Sequence, residues 1–206
     1  MNGMQSTIAF TRFDSPLGPM IATAARGALT GLYFTGQRWF PKTMDNWRHD
    51  DSAQPFAALR DQLDRYWSGT LTEFDLPLDP VGTDDRQATA FQLDVWKAIY
   101  AVPLGATITY SALAIASGRP PAVRAAGAAT GRNPISVIIP CHRIVGSDGS
   151  LTGYAGGLDR KRTLLAFEKA TANSAGNARP IADFIAAGRE PAAASRTMSA
   201  TLPLPI

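Results

Sequence analysis

The stretch Asn133-Pro-Ile-Ser-Val-Ile-Ile-Pro-Cys-His-Arg143 contains the only cysteine of the chain and one of its two histidines. A lone cysteine is usually a small buried hydrophobic residue. Here Cys141 follows a β-branched run and a proline and abuts His142 and Arg143, and adjacent cationic groups lower the pKa of a thiol. This arrangement indicates a nucleophilic cysteine with His142 as its base, which needs a third group to orient it.

On both sides of this stretch, apolar residues recur at helical spacing. The spacing predicts a helix from Ala88 to a stop at Pro103 and Gly105, and a second helix over Tyr110–Ala116 that Thr109 can cap. Residues 122–129 follow as a helix of small residues, and residues 159–169 form a closing helix. The two helices around residues 117–121 have the size and spacing of a helix-turn-helix.

The N-terminal part of the chain has a different pattern. Short strand-like runs at residues 8–13, 20–24, 29–34 and 71–76 surround one predicted helix at residues 51–68. We therefore predict an α/β (α+β) fold, with a small N-terminal sheet domain at residues 1–85. The mainly helical C-terminal domain spans residues 86–170 and carries the helix-turn-helix-like DNA-binding element. The polar stretch 79–87 is the predicted linker, and the Ala, Pro and Ser-rich tail 171–206 is expected to be poorly ordered.

Charge separates the two predicted domains. Residues 1–87 hold 8 Lys and Arg against 11 Asp and Glu, whereas residues 88–170 hold 9 against 4. The basic part would meet a polyanionic partner first, although a solvated basic face gives the same count. The sequence has no apolar run long enough to span a membrane and no secretion signal, so we expect no membrane partner. A single cysteine excludes an internal disulfide, and we expect a cytoplasmic protein.

Residues 88–168 resemble the catalytic domain of the O6-alkylguanine-DNA alkyltransferase family, also called methylated-DNA–protein-cysteine methyltransferases. The motif Pro140-Cys-His-Arg143 is intact, and Ser15-Pro-Leu-Gly18 is similar to the opening of the family's accessory domain. The remaining matching blocks are Phe91-Gln92, Val95-Trp96, Pro103 to Tyr110, Leu113-Ala114, Gly118-Arg-Pro120, Arg124-Ala125, Gly127, Asn133-Pro134, Gly153 to Gly157, Lys161, Leu164-Leu165 and Glu168.

The resemblance implies a catalytic role for five residues. Cys141 would attack the alkyl carbon on O6 of guanine once and keep the alkyl group, which makes the protein a suicide enzyme. His142 would deprotonate the thiol through a bridging water, and Glu168 would orient the imidazole. Asn133 would hold the cysteine-bearing turn, and the hydroxyl of Tyr110 would donate to N3 of the departing guanine.

The resemblance also implies how the protein meets DNA. Arg124 would enter the base stack where the damaged nucleotide has flipped out, and the small residues around it would let the helix approach the minor groove. The expected DNA-binding residues are Arg124, Ala125, Gly127, Tyr110 and Arg143. The expected partner is double-stranded DNA that contains O6-alkylguanine, or O4-alkylthymine, bound by a monomer.

The same resemblance places the guanine pocket along the loop of residues 153–157, here called the glycine-rich loop. The N–H of Ala155 would donate to O6, and the carbonyls of Cys141 and Ile144 would accept from the exocyclic amine. The expected pocket residues are Tyr110, Ile144, Gly153, Tyr154, Ala155, Gly156 and Gly157. Thr130 replaces a larger apolar residue found near the pocket in some relatives, which leaves tolerance of bulky adducts open.

The sequence also gives no reason to expect a cofactor or a metal, and it allows two alternative functions. We expect no cofactor, and no metal, because the N-terminal part has no cysteine and only His49 as a histidine. One alternative is a lesion-binding protein of the alkyltransferase-like class, but those proteins lack the cysteine. The other is a cysteine hydrolase, which would need a histidine from elsewhere, and His49 lies in the acidic half.

Overall fold

The computed structural model describes residues 7–41, 46–81, 88–174 and 178–187. Its N-terminal part is a four-stranded sheet with the order β3-β2-β1-β4. The strands are β1 (Ile8–Phe13), β2 (Met20–Ala25), β3 (Ala28–Phe34) and β4 (Trp47–His49). Strands β1 to β3 lie at the three strand-like runs that the sequence predicts, and they form an antiparallel meander, whereas β4 pairs parallel with β1 and was not predicted.

Helix α1 (Phe56–Trp67) covers this sheet with an apolar face. It begins five residues later than the spacing predicts, because residues 51–54 form turns, in which the N–H and hydroxyl of Ser52 both donate to Asp50. The predicted strand at residues 71–76 is wrong. That segment bends at residues 72 and 73 and forms no ladder, and only Leu78, beyond it, bridges to Leu29 of β3.

The C-terminal part is mainly helical, as predicted. Helix α2 (Ala90–Tyr100) starts at a capping box between Thr89 and Gln92, which satisfies two backbone donors that the helix leaves free. The predicted helix pair is present as α3 (Tyr110–Ala116) and α4 (Val123–Gly131), and Thr109 caps α3. The indole of Trp96 donates to the carbonyl of Ala129 at 2.9 Å and so attaches α4 to α2.

Two short strands and a long helix complete this part. Strand β5 (Ile108–Thr109) pairs parallel with β6 (Ile144–Val145), a pairing that the sequence did not predict. Helix α5 (Leu158–Ala172) passes beneath the cysteine turn. No helix in the described residues is both long and apolar enough to cross a membrane.

The two parts of the chain share one hydrophobic core. The free edge of β3 meets the segment that precedes the cysteine: Leu32 donates to the carbonyl of Pro134 and accepts from the N–H of Ser136, both at 2.8 Å. This short parallel bridge fixes the cysteine-bearing turn against the N-terminal sheet.

The structure corrects part of the expectation for the tail. Poor order was expected from Thr171, but α5 continues to Ala172 and helix α6 (Ile181–Ala187) follows. The buried Ile181 and the edge-to-face contact of Phe184 with Phe167 attach α6 to the core. Residues 188–206, and 82–87 of the predicted linker, lie outside the described residues.

Candidate active site

The turn that carries Cys141 is held by Asn133. The Asn133 side-chain amide donates to the carbonyl of Ile139 at 2.7 Å and to Sγ of Cys141 at 3.1 Å, and its Oδ1 accepts from the N–H of Ile135. Within the turn, the buried Val137 has a φ of 73°, which is strained for a β-branched residue. Such strain is typical of functional sites, so the turn is built to place Cys141 rather than to continue a strand.

The thiol of Cys141 is buried, with 4% of the residue exposed. Burial raises the pKa of the Cys141 thiol above its usual value, while the Asn133 hydrogen bond and the charge of Lys161 act in the opposite direction. The resting cysteine is therefore a protonated thiol, and it needs a base before it can act as a nucleophile.

Behind the cysteine lies a carboxylate that accepts from three side chains. Oε1 of Glu168 accepts from Nε2 of His142 at 2.9 Å, from Nη2 of Arg143 at 2.8 Å and from the hydroxyl of Tyr66 at 2.7 Å, and Oε2 accepts from Nε of Arg143 at 2.8 Å. Burial by itself would raise the pKa of Glu168, but His142 and Arg143 together hold it well below its usual range. Glu168 is thus a buried, ionised residue and not a helix-surface carboxylate.

This carboxylate decides which nitrogen of His142 carries the proton. An ionised carboxylate only accepts, so Nε2 must be the donor to Glu168. In the neutral ring the lone pair is then on Nδ1, which is buried and has no hydrogen-bond partner among the described residues. The predicted pair of His142 and Glu168 is therefore in contact, and the imidazole has one nitrogen available to accept a proton.

The structure gives Arg143 a different role from the predicted one. We expected it to bind DNA, but only 8% of its side chain is exposed. Its guanidinium is engaged by both oxygens of Glu168 and by the carbonyl of Val102 at 2.5 Å. Nε, Nη1 and Nη2 of Arg143 thus each donate to an acceptor inside the protein, and the pair with Glu168 is bidentate. Arg143 therefore holds Glu168 in place, and its burial leaves little of the side chain accessible to DNA.

Sequence reasoning missed the roles of two further residues. Tyr66 comes from α1, 102 residues before Glu168, and no local motif marks it. Lys161 belongs to a matching block, but its function was not assigned. Its buried ammonium donates to the carbonyls of Ile144 and Thr152 at 2.5 and 2.8 Å, and burial lowers the pKa of Lys161 to about 8. Lys161 thus joins β6 to the glycine-rich loop.

A cleft of about 570 Å³ opens between α3, α4 and the glycine-rich loop. Four of the seven predicted pocket residues line it, among them Tyr110, whereas Ile144, Gly156 and Gly157 lie outside this lining. Burial raises the pKa of Tyr110, so its hydroxyl remains a donor, and it makes long contacts of 3.4 and 3.5 Å to the carbonyls of Thr152 and Gly153. The lining residues are Arg38, Trp39, Tyr110, Val123, Gly127, Ala128, Gly131, Arg132, Thr152, Gly153, Tyr154 and Ala155.

The glycine-rich loop is fixed largely through its backbone. The carbonyl of Ala155 accepts from the N–H of Arg38, and the carbonyl of Gly156 accepts from the Arg160 side chain. Gly157 has a φ of 93° and begins α5, a conformation that favours glycine. The carbonyl of Ile144, expected to accept from a guanine amine, already accepts from Lys161.

Helix α4 carries three of the predicted DNA-binding residues, and one of them lines the cleft. Arg124 and Ala125 are exposed. Gly127 is half-buried, and a Cβ there would lie 3.7 Å from the ring of Tyr110, which is ordinary contact. The structure therefore brings Gly127 and Tyr110 together in the cleft, whereas Arg124 and Ala125 are exposed on the same helix outside its lining.

A buried thiol beside an oriented histidine is typical of a nucleophilic-cysteine protein, and neither Cys141 nor His142 is among the residues that line the cleft. Residues 90–170 match the family model of the 6-O-methylguanine DNA methyltransferase DNA binding domain, and residues 8–80 match that of its ribonuclease-like domain. The chain therefore belongs to the 6-O-methylguanine DNA methyltransferase family, and the resemblance seen in the sequence is confirmed.

Individual relatives cover most of the chain. A methylated-DNA–protein-cysteine methyltransferase of Mycobacterium tuberculosis is 44% identical over 165 residues, which are 80% of this chain and 94% of that protein. A protein of the same name from Methanosarcina barkeri is 44% identical over 76% of this chain and 94% of its own length. The crystal structure of Mycobacterium tuberculosis OGT in complex with DNA matches with a TM-score of 0.73 and 39% identity, over 86% of this chain and 98% of that one.

Proposed function

We propose that this chain repairs DNA by direct reversal. It transfers a methyl or other alkyl group from O6 of guanine, and from O4 of thymine, onto Cys141, which restores the base and consumes the protein. Residues 86–170 carry the DNA-binding and transfer functions, and residues 1–85 are the accessory domain. The protein acts as a monomer in the cytoplasm and needs no cofactor.

The main support for this proposal is that the thiol of Cys141 is held in position by a hydrogen bond, while the neighbouring His142 is oriented by a carboxylate. Asn133 donates to Sγ of Cys141 at 3.1 Å, and Glu168 fixes the tautomer of His142 at 2.9 Å. A displacement at an alkyl carbon needs a thiolate in one defined position, and these contacts supply the position and the base. The names of the relatives support the same reaction.

The proton inventory of the reaction closes within the site. Nδ1 of His142 takes the thiol proton through a bridging water, and Glu168 stabilises the imidazolium that forms. The thiolate then forms the S–C bond as the bond between O6 and the alkyl carbon breaks, and guanine leaves with the electron pair as an anion. The proton held by His142 returns through water to this anion, which restores neutral guanine and a neutral imidazole. The hydroxyl of Tyr110 donates to N3 of the departing base, and its long contacts to two carbonyls leave it able to do so.

The exposed part of α4 supplies the contact with DNA. Arg124 fills the gap that the flipped nucleotide leaves, and the small neighbours Ala125 and Gly127 allow the helix to approach the backbone. Arg124→Ala is expected to slow repair of a duplex far more than reaction with the free base O6-benzylguanine, because only the duplex has a gap to fill. Arg162→Ala, which removes another exposed arginine, is the matched control. Equal losses on both substrates would contradict the role.

Mass spectrometry tests the function itself. The protein is incubated with an oligonucleotide duplex that contains O6-methylguanine, and its mass gain and the modified peptide are determined. One methyl per molecule, all on Cys141, is expected, and Cys141→Ala should bind the lesion but gain nothing. Multiple turnovers, or transfer by Cys141→Ala, would refute the proposal, and a turned-over acyl substrate would instead identify a cysteine hydrolase.

A further inference from the structure

The lining of the cleft includes two exposed arginines that contact one exposed tryptophan. The guanidinium carbons of Arg38 and Arg132 lie 5.2 and 5.4 Å from the ring centroid of Trp39, which is 48% exposed. Arg38 belongs to the loop after β3 and Arg132 is the C-terminal cap of α4, so the two parts of the chain meet at this ring. These are cation–π contacts, and they hold two long side chains beside one ring. The three residues are here called the arginine–tryptophan cluster.

The positive charges of this cluster are not neutralised by the described part of the protein. Among residues 7–41, 46–81, 88–174 and 178–187, neither guanidinium has a carboxylate at ion-pair distance or an acceptor for its N–H groups. By contrast, the exposed side chains of Arg26, Arg60 and Arg162 each pair with an aspartate. A guanidinium can contact an aromatic ring and still donate hydrogen bonds from its N–H groups. The cluster therefore presents two cations that are able to bind an anion.

The loop that carries Arg38 and Trp39 is attached to the active-site region. The N–H of Arg38 donates to the carbonyl of Ala155 in the glycine-rich loop at 2.9 Å. The buried Gln37 accepts through Oε1 from the hydroxyl of Ser136, which precedes the cysteine, at 3.3 Å. Trp39 itself has a φ of 64°, which is unfavourable for a bulky residue. Specific contacts thus fix the place of the cluster beside the cleft, at a cost in backbone strain that is typical of functional positions.

We propose that Arg38 and Arg132, held by Trp39, bind backbone phosphates of the DNA duplex beside the cleft. The fork of a guanidinium matches the oxygens of a phosphate, and a duplex carries closely spaced negative charges. DNA is the polyanion that fits this place, because Arg132 ends the helix proposed above to meet the duplex. The inference rests on the proposed function, which supplies the partner. It gives the N-terminal part of the chain a direct role in DNA binding, through Arg38.

The test is the affinity for an undamaged duplex, measured by fluorescence anisotropy at several salt concentrations. Arg38→Ala and Arg132→Ala should each weaken binding about threefold, the usual size for an exposed charge pair. Each should also reduce the slope of log K against log salt by about 1, because one phosphate contact is lost. Arg12→Ala is the matched control, because Arg12 is also exposed and lies 5.4 Å from the ring centroid of Phe10, outside the cleft lining. Its affinity and slope should equal those of the wild type.

The role of the ring is tested separately. Trp39→Ala should weaken duplex binding to a similar extent, because both arginines lose the ring that holds them, and Trp39→Phe should recover most of the affinity, since phenylalanine also makes cation–π contacts. In all these variants the single-turnover rate of methyl transfer at saturating duplex should stay within about twofold of the wild type, because the cluster acts on binding and not on the thiol. The two arginine variants decide the proposal if Trp39→Ala does not fold.

The outcomes that would overturn the proposal are distinct from failure of the proposed function. Unchanged affinity of both arginine variants would overturn it. A loss of affinity with an unchanged salt slope, or a slower transfer at saturating duplex, would also overturn it, since either would indicate a structural role instead of an ionic contact. A wild-type protein that binds the duplex but transfers no methyl group would refute the proposed function, while the salt slopes would still decide whether the cluster binds phosphates.

Discussion

Each of the two histidines in the chain lies beside a carboxylate that also binds an arginine, yet one cluster is exposed and the other is buried. In the exposed triad (His49, Asp51 and Arg60), Nε2 of His49 lies 3.5 Å from Asp51, and Arg60 lies 3.0 Å from it. More than half of the His49 and Asp51 side chains is exposed. The hydrogen bond from the hydroxyl of Thr11 is the main reason why the pKa of Asp51 is lowered.

In the buried triad (His142, Glu168 and Arg143), the same three kinds of group lie closer together and away from solvent. The distances from Glu168 to His142 and Arg143 are 2.9 and 2.8 Å, and the His142 and Glu168 side chains are fully buried. The pKa of both carboxylates is lowered, but the causes differ. For Glu168 the largest single influence is burial, which raises the pKa, and His142 and Arg143 outweigh it, whereas for Asp51 the largest influence is the hydrogen bond from Thr11.

The difference shows what burial adds to a common arrangement of charges. An exposed ion pair contributes little, because water and salt screen it and the side chains lose freedom. In the buried triad no water competes, so the position and tautomer of His142 are fixed and the loss of one partner leaves a charge unpaired. The exposed triad leaves more than half of the His49 side chain in contact with solvent. The buried triad fixes His142 so that Nδ1 is the nitrogen without a hydrogen-bond partner among the described residues.

The largest expected difference between the triads is in the rate of alkyl transfer. His142→Ala should reduce the single-turnover rate on a methylguanine duplex by about 10²- to 10⁴-fold, the usual contribution of a positioned general base. His49→Ala should leave the rate unchanged, because that histidine faces solvent far from the thiol in sequence and packs on Phe10. Similar losses in both variants would remove the distinction between the triads.

The next difference is in stability. Glu168→Gln should lower the free energy of unfolding by about 3–5 kcal/mol, because it removes the charge that pairs with the buried Arg143. Asp51→Asn, in the exposed triad, should leave the melting temperature nearly unchanged. Urea unfolding of both variants measures this, and equal effects would show that burial of the triad is energetically unimportant.

A smaller effect is expected in the pH dependence of stability. The pKa of Glu168 is lowered in the folded state, so the stability it contributes is complete above its unfolded pKa of about 4.3 and is lost as the pH falls further. The difference in the free energy of unfolding between the wild type and Glu168→Gln should therefore become smaller below about pH 4. A gap that stays constant down to the acid transition would mean that Glu168 is not held ionised.

The fold was predictable where it depends on local pattern. Short strand-like runs predicted β1 to β3, and helical spacing with Thr109 as cap predicted α3. Strand β4 has three residues and depends on its pairing with β1, so no periodicity reveals it. The segment at 71–76 has a strand-like composition, but strand formation needs a partner that the surrounding chain does not provide.

The site was predictable where a short motif or the family resemblance names the residues. Cys141, His142 and Glu168 were predicted, and the structure brings the last two into contact. Tyr66 was not, because its contact with Glu168 joins distant parts of the chain. The contact of Arg143 with Glu168 was not predicted either, because only the folded chain shows which side of the turn the arginine occupies.

The central claim is that Glu168 holds His142 as the base that activates Cys141. The most direct measurement is the single-turnover rate of Glu168→Gln on a methylguanine duplex, from about pH 5.5 to about pH 9, at a temperature where the variant is folded. The account predicts a slower rate and an altered pH profile, because the imidazole loses the carboxylate that orients and balances it. An unchanged rate with an unchanged profile would contradict the relay, and a slower rate with an unchanged profile would reduce Glu168 to a structural residue.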